Sequence, residues 1–518
     1  MKHTSTLALS IGLLASAGAQ AQLSFGGHPI GIERSQELPS APTVVMPEVD
    51  AEALKAEDAD RAAQGIKGPW RFGFNHATDL SLENSGVWHT LPNGDRVWRL
   101  SIQCPGAYSI NFEFHDYVVP EGAQVFVYND AGDVIGAFEE GSNPGQTILG
   151  VTQLAGDRIT IEYDEPLEVR GLGRLLVGQV THAYRDIMGV TKGLGDSGSC
   201  NNNVICSVGD PWRDQIRSVA MITVGGSGIC TGQLLNNCAQ DGTPYFLTAN
   251  HCLGGNNSWV FRFNWQSPSC SANQNGPTNQ TVSGSTLKTS SGGSDVALLQ
   301  LNTTPPSNYN VFYTGWDKST TAATSVTAIH HPSGDVKKIS FENQPVISGS
   351  FGGAQCWHVQ GWDDGTTEGG SSGSGLWNQN GLLVGQLYGG QASCNFNFND
   401  YYGKFNVSYP LLSTWLGNCG DQLQGYPSTV GVEENSTGSF TMVPNPTTGR
   451  LSITVPQALR NDGRVVIYDA LGQVVIERNV QRGTERMELD LTDRTEGFYL
   501  VEVIGEGYRA VERLVLTH

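Results

Sequence analysis

The sequence predicts a mostly β protein built from several domains. Its 518 residues exceed one ordinary domain, since domains average about 150 residues. Short runs that alternate apolar and polar residues, each closed by turn residues, predict antiparallel strands; examples are residues 96–102, 158–163 and 463–468. Glycine supplies 65 residues and only 15% of the chain is charged. We therefore expect a loop-rich β protein with several hydrophobic cores.

The charge balance excludes two classes of partner. Acidic residues outnumber basic ones by 50 to 30, so the formal net charge is −20. Nucleic acids and anionic membranes are bound through basic patches, which argues against both. A hydrophobic fraction of 38% with 11 tryptophans excludes a disordered acidic chain and a long coiled coil. We find no metal-ligand cluster, phosphate loop or cofactor fingerprint, so we expect neither a metal nor a cofactor.

The first 21 residues predict a secretory signal peptide. Lys2 supplies the positive end, residues 7–17 are mostly apolar, and Ala19 and Ala21 form the small-residue cleavage pattern. The alternative, a membrane anchor, is disfavoured because the apolar run is shorter than the ~20 residues needed to span a bilayer. No later stretch is long and apolar enough to cross. We expect a secreted protein whose ten cysteines can form disulfides.

Composition divides the rest of the chain into four parts. Residues 22–65 are rich in Pro, Ala and Glu and predict a poorly ordered lead-in, followed by a β-sandwich at about 70–190. Residues 193–419 are rich in Gly, Ser, Asn and Thr and hold nine of the ten cysteines. The predicted segments are a signal peptide at 1–21, an N-terminal region at 22–192, a central domain at 193–419, a linker at 420–438 and a C-terminal β module at 439–518.

Three motifs in the central domain carry candidate chemistry. In the first, an apolar strand ends in a small-residue turn that presents His251. In the second, Asp295 opens a buried strand, which can hold a carboxylate behind a histidine. In the third, Ser372 lies in a glycine-flanked turn at 369–375 that exposes its hydroxyl and gathers backbone N–H groups.

Together the three motifs fit acyl transfer. Ser372 is a weak nucleophile that needs a general base, and neutral His251 suits that task. Asp295 would fix the histidine tautomer and stabilise the imidazolium. The N–H groups of Gly370 and Ser372 would stabilise the oxyanion, at roughly 3–4 kcal/mol per donor. Each motif alone also has a non-catalytic explanation. His251 could be a structural histidine, Asp295 a strand cap, and the Ser372 turn a flexible linker.

The central domain resembles the chymotrypsin-like serine proteases and, within them, the bacterial lysyl endopeptidases. The resemblance rests on motifs that run through most of residues 193–419: 230–237, 245–252, 294–301, 315–317, 328–332, 370–375, 385–387 and 400–404. It implies a chymotrypsin-like double β-barrel with the triad in the cleft between the barrels. It also implies that the substrates are proteins and peptides.

The resemblance implies a pocket for a basic substrate side chain. Trypsin-like enzymes carry an acidic residue six positions before the nucleophile, where this chain has Thr366. The lysyl endopeptidases place the acid later, in a segment matched by residues 399–404, so Asp400 is the candidate; the alternative is a turn residue. The family's histidine is replaced here by Tyr388, and Trp362 is an approximate match for its stacked aromatic. We expect cleavage after Lys, with Arg left open.

A second departure from the pattern concerns activation. Ser371 stands where trypsin-like zymogens carry the Asp that captures the new amino terminus. Maturation by that ion pair is therefore not expected, and removal of a pro-domain takes its place. The bond between Lys192 and Gly193 lies where the family's mature chain would begin, so a Lys-directed protease could cut it itself.

The family pattern also implies the disulfides. Carried over to this chain, it pairs Cys200 with Cys394, Cys206 with Cys270, and Cys230 with Cys252. The last pair would hold the His251 turn. For the remaining cysteines the pattern has no counterpart: Cys238, Cys356, Cys419 and Cys104. A bridge from Cys238 to Cys419 is one choice, which would leave Cys356 and Cys104 unpaired.

The last 80 residues resemble a type IX secretion sorting domain. The motifs that carry the likeness are 443–449, 468–473 and 497–501. A small β-sandwich recognised by the type IX secretion machinery accounts for them, with a carbohydrate- or surface-binding module as the alternative. The resemblance implies a protein that is released or attached to the cell surface.

Two function classes remain at this point. The first is a secreted, lysine-preferring serine endopeptidase, monomeric and made as a prepro-protein. The second is a catalytically inactive surface adhesin or glycan- or protein-binding protein built on the protease fold. The filled triad and the oxyanion glycines favour the first. The sandwich at about 70–190 is either an inhibitory pro-domain or a retained binding module.

Overall fold

A computed structural model gives the architecture. It describes residues 26–64, 68–189, 197–255, 257–271, 274–427, 440–454, 463–469, 474–505 and 508–517. The predicted signal peptide, the bond after Lys192, part of the predicted linker and residues 470–473 of the sorting motifs lie outside these ranges. The chain divides into two compact units, Met1–Pro427 and Ser428–His518. The predicted fold class is confirmed, since β-strands dominate both units.

The N-terminal region contains two short helices and eleven strands. They are α1 (Ile30–Glu33), β1 (Thr43–Val45), α2 (Ala51–Ala63), β2 (Trp70–Arg71), β3 (Gly73–Ser81), β4 (Val87–Thr90), β5 (Arg96–Gln103), β6 (Ser109–Val118), β7 (Gln124–Asn129), β8 (Val134–Phe138), β9 (Leu149–Ala155), β10 (Arg158–Glu165) and β11 (Arg174–Ala183). Strands β1-β5-β10-β7-β8, with β4 beside β5, form one sheet, and β3-β11-β6-β9 form a second.

The two N-terminal sheets bury one shared apolar core, as the alternating sequence pattern predicts. Leu100 and Ile161 of the first sheet and Phe112 and Val177 of the second belong to the same buried cluster. Each side chain is at most 1% exposed. A sheet with one apolar face must cover that face, and a second sheet is the simplest cover. The region is a β-sandwich.

The prediction of a poorly ordered lead-in at 22–65 is wrong for the described residues 26–64. β1 pairs parallel with β5, with Val44 opposite Ile102. Helix α2 begins at a good N-cap, since the carboxylate of Asp50 accepts the N–H of Ala53 at 3.0 Å. Its alanines favour a helix, whereas no alternating apolar pattern marks the segment. The contacts that hold this segment come from residues far along the chain.

A buried carboxylate, with a second one beside it, fastens the start of this segment to the sandwich. Glu162 accepts the N–H of Gly31 at 2.8 Å and the hydroxyl of Tyr128 at 2.8 Å. Its neighbour on the same face of β10, Asp164, is 7% exposed. Burial, and then the negative charge of Glu162, raise the pKa of Asp164 far above its usual range. At neutral pH the pair therefore holds a proton that the unfolded chain would release.

Asp164→Asn is expected to stabilise the protein at neutral and higher pH, by about 1–3 kcal/mol at pH 7. The pKa of Asp164 is higher in the folded state than in the unfolded state, so its contribution is most favourable at acid pH. This contribution to stability declines as the pH rises above the pKa of Asp164 in the unfolded state. An asparagine does not ionise, so it avoids the free-energy cost of keeping a buried carboxyl protonated. The gain in thermal midpoint should therefore be larger at pH 8 than at pH 4.5.

Calorimetry on the full chain carrying Ser372→Ala would measure this effect without self-cleavage. Asp130→Asn is the matched control, because the Asp130 side chain is 71% exposed. It should leave the midpoint within about 1 °C at both pH values. A loss of stability in Asp164→Asn at pH 8 would contradict the assignment.

The central domain contributes seventeen strands and two helices to the described residues. They are β12 (Asn202–Asn203), α3 (Arg213–Ser218), β13 (Val219–Val224), β14 (Gly228–Leu234), β15 (Tyr245–Ala249), β16 (Val260–Phe263), β17 (Thr281–Ser283), β18 (Ser285–Ser291), β19 (Val296–Leu301), β20 (Trp316–Asp317), β21 (Val326–His330), β22 (Lys338–Glu342), β23 (Ile347–Phe351), β24 (Ala354–Gly361), β25 (Gly375–Asn378), β26 (Leu383–Gly390), β27 (Phe398–Lys404), α4 (Phe405–Leu416) and β28 (Gln422–Leu423).

Two predominantly antiparallel sheets form the central domain. The first runs β17-β16-β13-β14-β15-β19-β18, and β2 of the N-terminal region pairs with β14. The second runs β12-β22-β21-β25-β26-β27-β24-β23, with β20 beside β26 and β28 beside β20. Leu247 and Leu298 from the first sheet share a buried cluster with Trp377 and Leu383 from the second. The two sheets therefore share a buried core.

The N-terminal sandwich packs directly on the first central sheet. Arg262 of β16 is 1% exposed and donates to Thr152 Oγ1 at 2.7 Å and to Gln153 Oε1 at 2.6 Å. Gln153 in turn donates to Thr223 of β13 at 2.9 Å. A buried guanidinium needs such partners because an unpaired buried charge is costly. The sandwich and the central domain therefore form one compact unit.

Residues 420–427, at the start of the predicted linker, are packed against the central domain. Strand β28 pairs with β20, placing Leu423 opposite Trp316. Tyr426 and Tyr313 exchange backbone hydrogen bonds of 2.6 and 2.8 Å. The central fold thus extends through Pro427, where the first unit ends.

The second unit is a small β module with its own core. Its strands are β29 (Thr441–Val443), β30 (Arg450–Thr454), β31 (Gly463–Tyr468), β32 (Val474–Val480), β33 (Arg486–Asp490), β34 (Gly497–Gly505) and β35 (Tyr508–Leu516). β29-β30-β33 form one sheet and β32-β31-β34-β35 the other. Ile453 from the first and Val501 from the second share a buried cluster. The predicted C-terminal β-sandwich is confirmed.

Candidate active site

His251 is held in place by a strand end and a disulfide. Strand β15 pairs with β19 along its whole length and stops at Ala249. A 3-10 turn over Asn250–Cys252 follows, and Cys252 is bonded to Cys230 of β14. The His251 side chain is 10% exposed. The local sequence therefore presents an imidazole at the junction of two strands and allows it little freedom.

Asp295 lies directly behind His251. Its carboxylate Oδ2 is 2.7 Å from His251 Nδ1, and its Oδ1 accepts the backbone N–H of His251 at 3.0 Å. The residue is 3% exposed and adopts a left-handed φ of 52° just before β19. An aspartate tolerates that conformation better than most residues. The strained turn aims the carboxylate at the ring.

These contacts assign the tautomer of His251. A carboxylate only accepts hydrogen bonds, so Nδ1 carries the hydrogen that lies between the ring and Asp295. Nε2 then has a lone pair, and it has no hydrogen-bond partner among the residues that the structure describes. The ring nitrogen on the far side from Asp295 is thereby available as a base.

The Ser372 turn is fixed by hydrogen bonds to β14. Thr231 donates its backbone N–H to Ser372 O at 2.8 Å and its hydroxyl to Gly370 O at 2.9 Å. Gly370 has a φ of 92°, and a Cβ there would lie 2.8 Å from His331 O. Only glycine fits such a position without strain. The turn is a rigid part of the fold, which excludes the flexible-linker alternative.

The Ser371 hydroxyl makes a hydrogen bond with an uncharged histidine. Its Oγ lies 2.8 Å from Nδ1 of His330, whose Nε2 lies 3.1 Å from Ser340 Oγ. Burial, with a smaller contribution from Lys338, lowers the pKa of His330 to about 3. The imidazole is therefore uncharged at neutral pH.

Tyr388 stacks on the ring of His251. The ring centroids are 5.6 Å apart with planes 24° from parallel. On its other side Tyr388 meets Phe351 edge-on, with centroids 5.2 Å apart. Sequence reasoning selected Trp362 as the stacked aromatic, but the structure puts Phe351 in this row and Trp362 elsewhere. No sequence motif marks Phe351, which reaches the row through the pairing of β23 with β24.

Asp400 is buried at the side of the cleft and held by two donors. The indole N–H of Trp362 donates to its Oδ2 at 2.8 Å, and the hydroxyl of Thr367 donates to the same oxygen at 2.6 Å. The residue is 1% exposed. Sequence reasoning missed Thr367 although it named its neighbour Thr366, which is buried as well. The two donors orient the carboxylate.

Ser372 and Asp400 line one cleft of about 880 Å³. Gly370 and Ser372 lie on its floor, and Tyr388 and Asp400 come from the second central sheet. Of the other residues that the sequence selected, His251 stacks on Tyr388 with Asp295 behind it, and Trp362 donates to Asp400. No group of three His, Cys, Asp or Glu side chains in the described ranges is arranged to hold a metal ion.

Four disulfides stabilise this framework. The pairs are Cys200–Cys394, Cys206–Cys270, Cys230–Cys252 and Cys238–Cys419. The first three are those implied by the family pattern, and the fourth joins the end of α4 to the segment after β14. Cys104 and Cys356 are buried as free thiols. Each closed loop is expected to contribute about 2–4 kcal/mol.

Comparison with known proteins gives two matches to family models. Residues 194–403 match the C-terminal domain of lysyl endopeptidase, and residues 441–517 match the secretion system C-terminal sorting domain. A curated lysyl endopeptidase of Pseudomonas aeruginosa strain PAO1 is 29% identical over 358 residues, which cover 64% of this chain and 77% of that protein.

The chain carries a serine endopeptidase domain. Solved structures similar to it include a Glu endopeptidase in complex with MPD, 20% identical with a TM-score of 0.29, covering 43% of this chain and 97% of that chain. Human heparin binding protein is 17% identical with a TM-score of 0.29, covering 40% of this chain and 94% of that chain.

The sorting domain places the endopeptidase outside the cell, secreted or attached to the surface. No helix in the described part of the chain is long and apolar enough to cross a bilayer. The endopeptidase domain, the sorting domain and the secreted location agree with the sequence-based predictions. For the central domain, these matches favour the endopeptidase over the adhesin alternative.

Proposed function

We propose that the protein cleaves peptide bonds after Lys, and after Arg at a comparable or lower rate, through a Ser372–His251–Asp295 triad. The observation that carries the proposal is the 2.7 Å contact of His251 Nδ1 with Asp295, set in a cleft that Ser372 and Asp400 both line. Tyr388, which stacks on the proposed base His251, lines the same cleft as the proposed nucleophile and the acidic pocket residue. The likeness to lysyl endopeptidase supports the same assignment.

The triad would act in two half-reactions. Ser372 Oγ attacks the scissile carbonyl while His251 Nε2 takes its proton, and Asp295 stabilises the resulting imidazolium. The imidazolium then gives the proton to the leaving amine, which departs and leaves an acyl-enzyme on Ser372. Water, deprotonated by His251, releases the acid. The N–H groups of Gly370 and Ser372 would bind the oxyanion in both half-reactions.

Asp400 would select the substrate side chain. A carboxylate that is 1% exposed gains from a substrate that brings its own positive charge. A neutral side chain would leave that charge uncompensated in the pocket. The hydrogen bonds from Trp362 and Thr367 keep the carboxylate in one orientation, which favours a fixed cation position.

We assign the other parts of the chain as follows. Residues 1–21 are a signal peptide, 22–192 a pro-region, 193–427 the protease with its packed C-terminal segment, 428–438 a linker and 439–518 the sorting domain read by the type IX machinery. Self-cleavage between Lys192 and Gly193 would release the mature amino terminus. The likenesses over 194–403 and 441–517 support this division.

Cleavage of matched peptide amides tests the proposal. With the processed protein we expect Lys and Arg amides to be cut at least about 100-fold faster than Leu or Phe amides, measured as kcat/KM. The reason is the cost of leaving the Asp400 carboxylate in the pocket without a cation. Purified Ser372→Ala protein is the control for contaminating proteases. Equal rates on Lys and Leu amides would refute the specificity, and no cleavage would refute the activity.

A further inference from the structure

Part of the N-terminal region lines the active-site cleft. Helix α2 and strand β2, which we call the cleft strap (Ala51–Ala63 and Trp70–Arg71), both border it. They face Ser372 and Gly370 from the side of the first central sheet. The cleft is therefore bounded by the protease domain and by a segment that precedes it in sequence.

Strand β2 occupies a strand edge beside the nucleophile. Along this edge of β14, strand β15 pairs only with Gln233 and Leu234, whereas β2 pairs with Gly228 and Ile229. Thr231, between these two pairs on the same edge, donates its N–H to Ser372 O. Because residues two apart share an edge, β2, the Ser372 turn and β15 follow one another along β14.

Trp70 packs directly against the catalytic turn. A Cβ on Gly369 would lie 2.4 Å from Trp70 Cδ1, so the indole rests on the backbone just before Gly370. Trp70 also packs with the buried cluster that contains Ile229. The guanidinium of Arg185 lies over its ring at 5.1 Å. The indole is thus held against the proposed oxyanion loop.

A carboxylate on α2 fastens the strap. Asp58 accepts from Arg71 Nε at 2.8 Å, from the Tyr184 hydroxyl at 2.6 Å and from Arg185 at 2.9 Å. Its side chain is 17% exposed, so these charge-assisted bonds are largely shielded from solvent. Asp58 therefore joins α2 to β2 and to the residues after β11.

We propose that the cleft strap blocks the leaving-group side of the cleft and leaves the Asp400 pocket open. This inference rests on the proposed function. If the substrate side chain enters the Asp400 pocket, the residues after the scissile bond extend past Ser372 toward the first sheet. An extended peptide binds by adding a strand to a free sheet edge, and β2 holds that edge at Gly228 and Ile229. The strap and the substrate's leaving-group segment compete for one site.

Two substrates that share the same acyl part test this inference. One ends in Lys with a small ester leaving group, and the other continues for four residues beyond the Lys. Both are assayed with the full chain carrying Lys192→Gln, shown uncut by intact mass, and with the processed enzyme. We expect the uncut chain to cleave the ester within about threefold of the processed enzyme and the extended peptide at least about 100-fold more slowly.

Asp58→Asn in the uncut chain is expected to restore cleavage of the extended peptide by at least about tenfold, because it removes the negative charge that strengthens three hydrogen bonds and one of the two oxygens that accept them. Asp60→Asn on the same helix is the matched control, since Asp60 is exposed. Ester cleavage reports that each variant has folded.

The inference would be overturned if the uncut chain cleaved both substrates equally more slowly than the processed enzyme, or cleaved both as fast. Loss of both activities in the processed enzyme would instead refute the proposed function, so the two failures are distinguishable.

Discussion

Replacing Ser372 by Ala is expected to lower kcat on a Lys amide by about 10⁶-fold. The hydroxyl is the only atom that can form the acyl-enzyme in the proposed mechanism, and a methyl group cannot replace it. The turn itself should persist, because its bonds from Thr231 go to the backbone carbonyls of Gly370 and Ser372. The remaining rate would come from the oxyanion donors and substrate positioning.

Single-turnover and steady-state assays with active-site titration would measure this loss. Adding His251→Ala to Ser372→Ala should cost little more, since the members of a triad act as one unit. Ser374→Ala, wholly buried in the same turn, is the matched control and should change kcat by less than about tenfold. The Ser372→Ala chain should also keep its Lys192–Gly193 bond. Activity above about 1% of wild type would contradict the nucleophile assignment.

Asp400→Asn is expected to lower kcat/KM for Lys and Arg amides by about 10²–10³-fold, because truncating one partner of a buried charge pair costs roughly 2–5 kcal/mol. Cleavage after Leu should stay the same or rise, since the buried negative charge has gone. The measurement is the ratio of kcat/KM for Lys and Leu amides, which cancels any change in the amount of folded enzyme.

Two neighbouring threonines supply a matched pair for the same pocket. Thr367→Val removes the 2.6 Å hydrogen bond to Asp400 and should lower the Lys-to-Leu ratio by roughly tenfold. Thr366→Val changes a buried neighbour whose hydroxyl has no hydrogen-bond partner among the described residues, and it should leave the ratio unchanged within about threefold. Equal effects of the two changes would exclude Asp400 as the residue that binds the cation.

The candidate triad could be predicted from sequence because each member has a local signal. His251 ends an apolar strand beside a cysteine, Asp295 opens a buried strand, and Ser372 lies between glycines. Phe351 and Thr367 could not be predicted in this way. Their roles depend on which strands pair and on how side chains pack across them, and neither leaves a periodic pattern.

The order of the 26–64 segment could not be predicted for a different reason. Helix α2 has no buried residue, so it lacks the apolar stripe by which a packed helix is recognised. Its attachment depends on polar bonds such as that from Arg185 to Asp58, 127 residues apart. Contacts of that range are invisible to local composition, and a segment rich in Pro, Ala and Glu therefore resembles a loose lead-in.

The disulfide pattern determines what happens when the protease cleaves its own chain. All four bridges join cysteines between Cys200 and Cys419, and the two remaining cysteines are free thiols. A cut after Lys288, Lys318 or Lys404 falls between Cys238 and Cys419, so the two fragments stay covalently joined. Cuts in the flanking regions meet no such bridge. No lysine follows Lys404, so limited self-digestion after lysine would remove parts of the N-terminal region and keep a nicked protease domain in one piece.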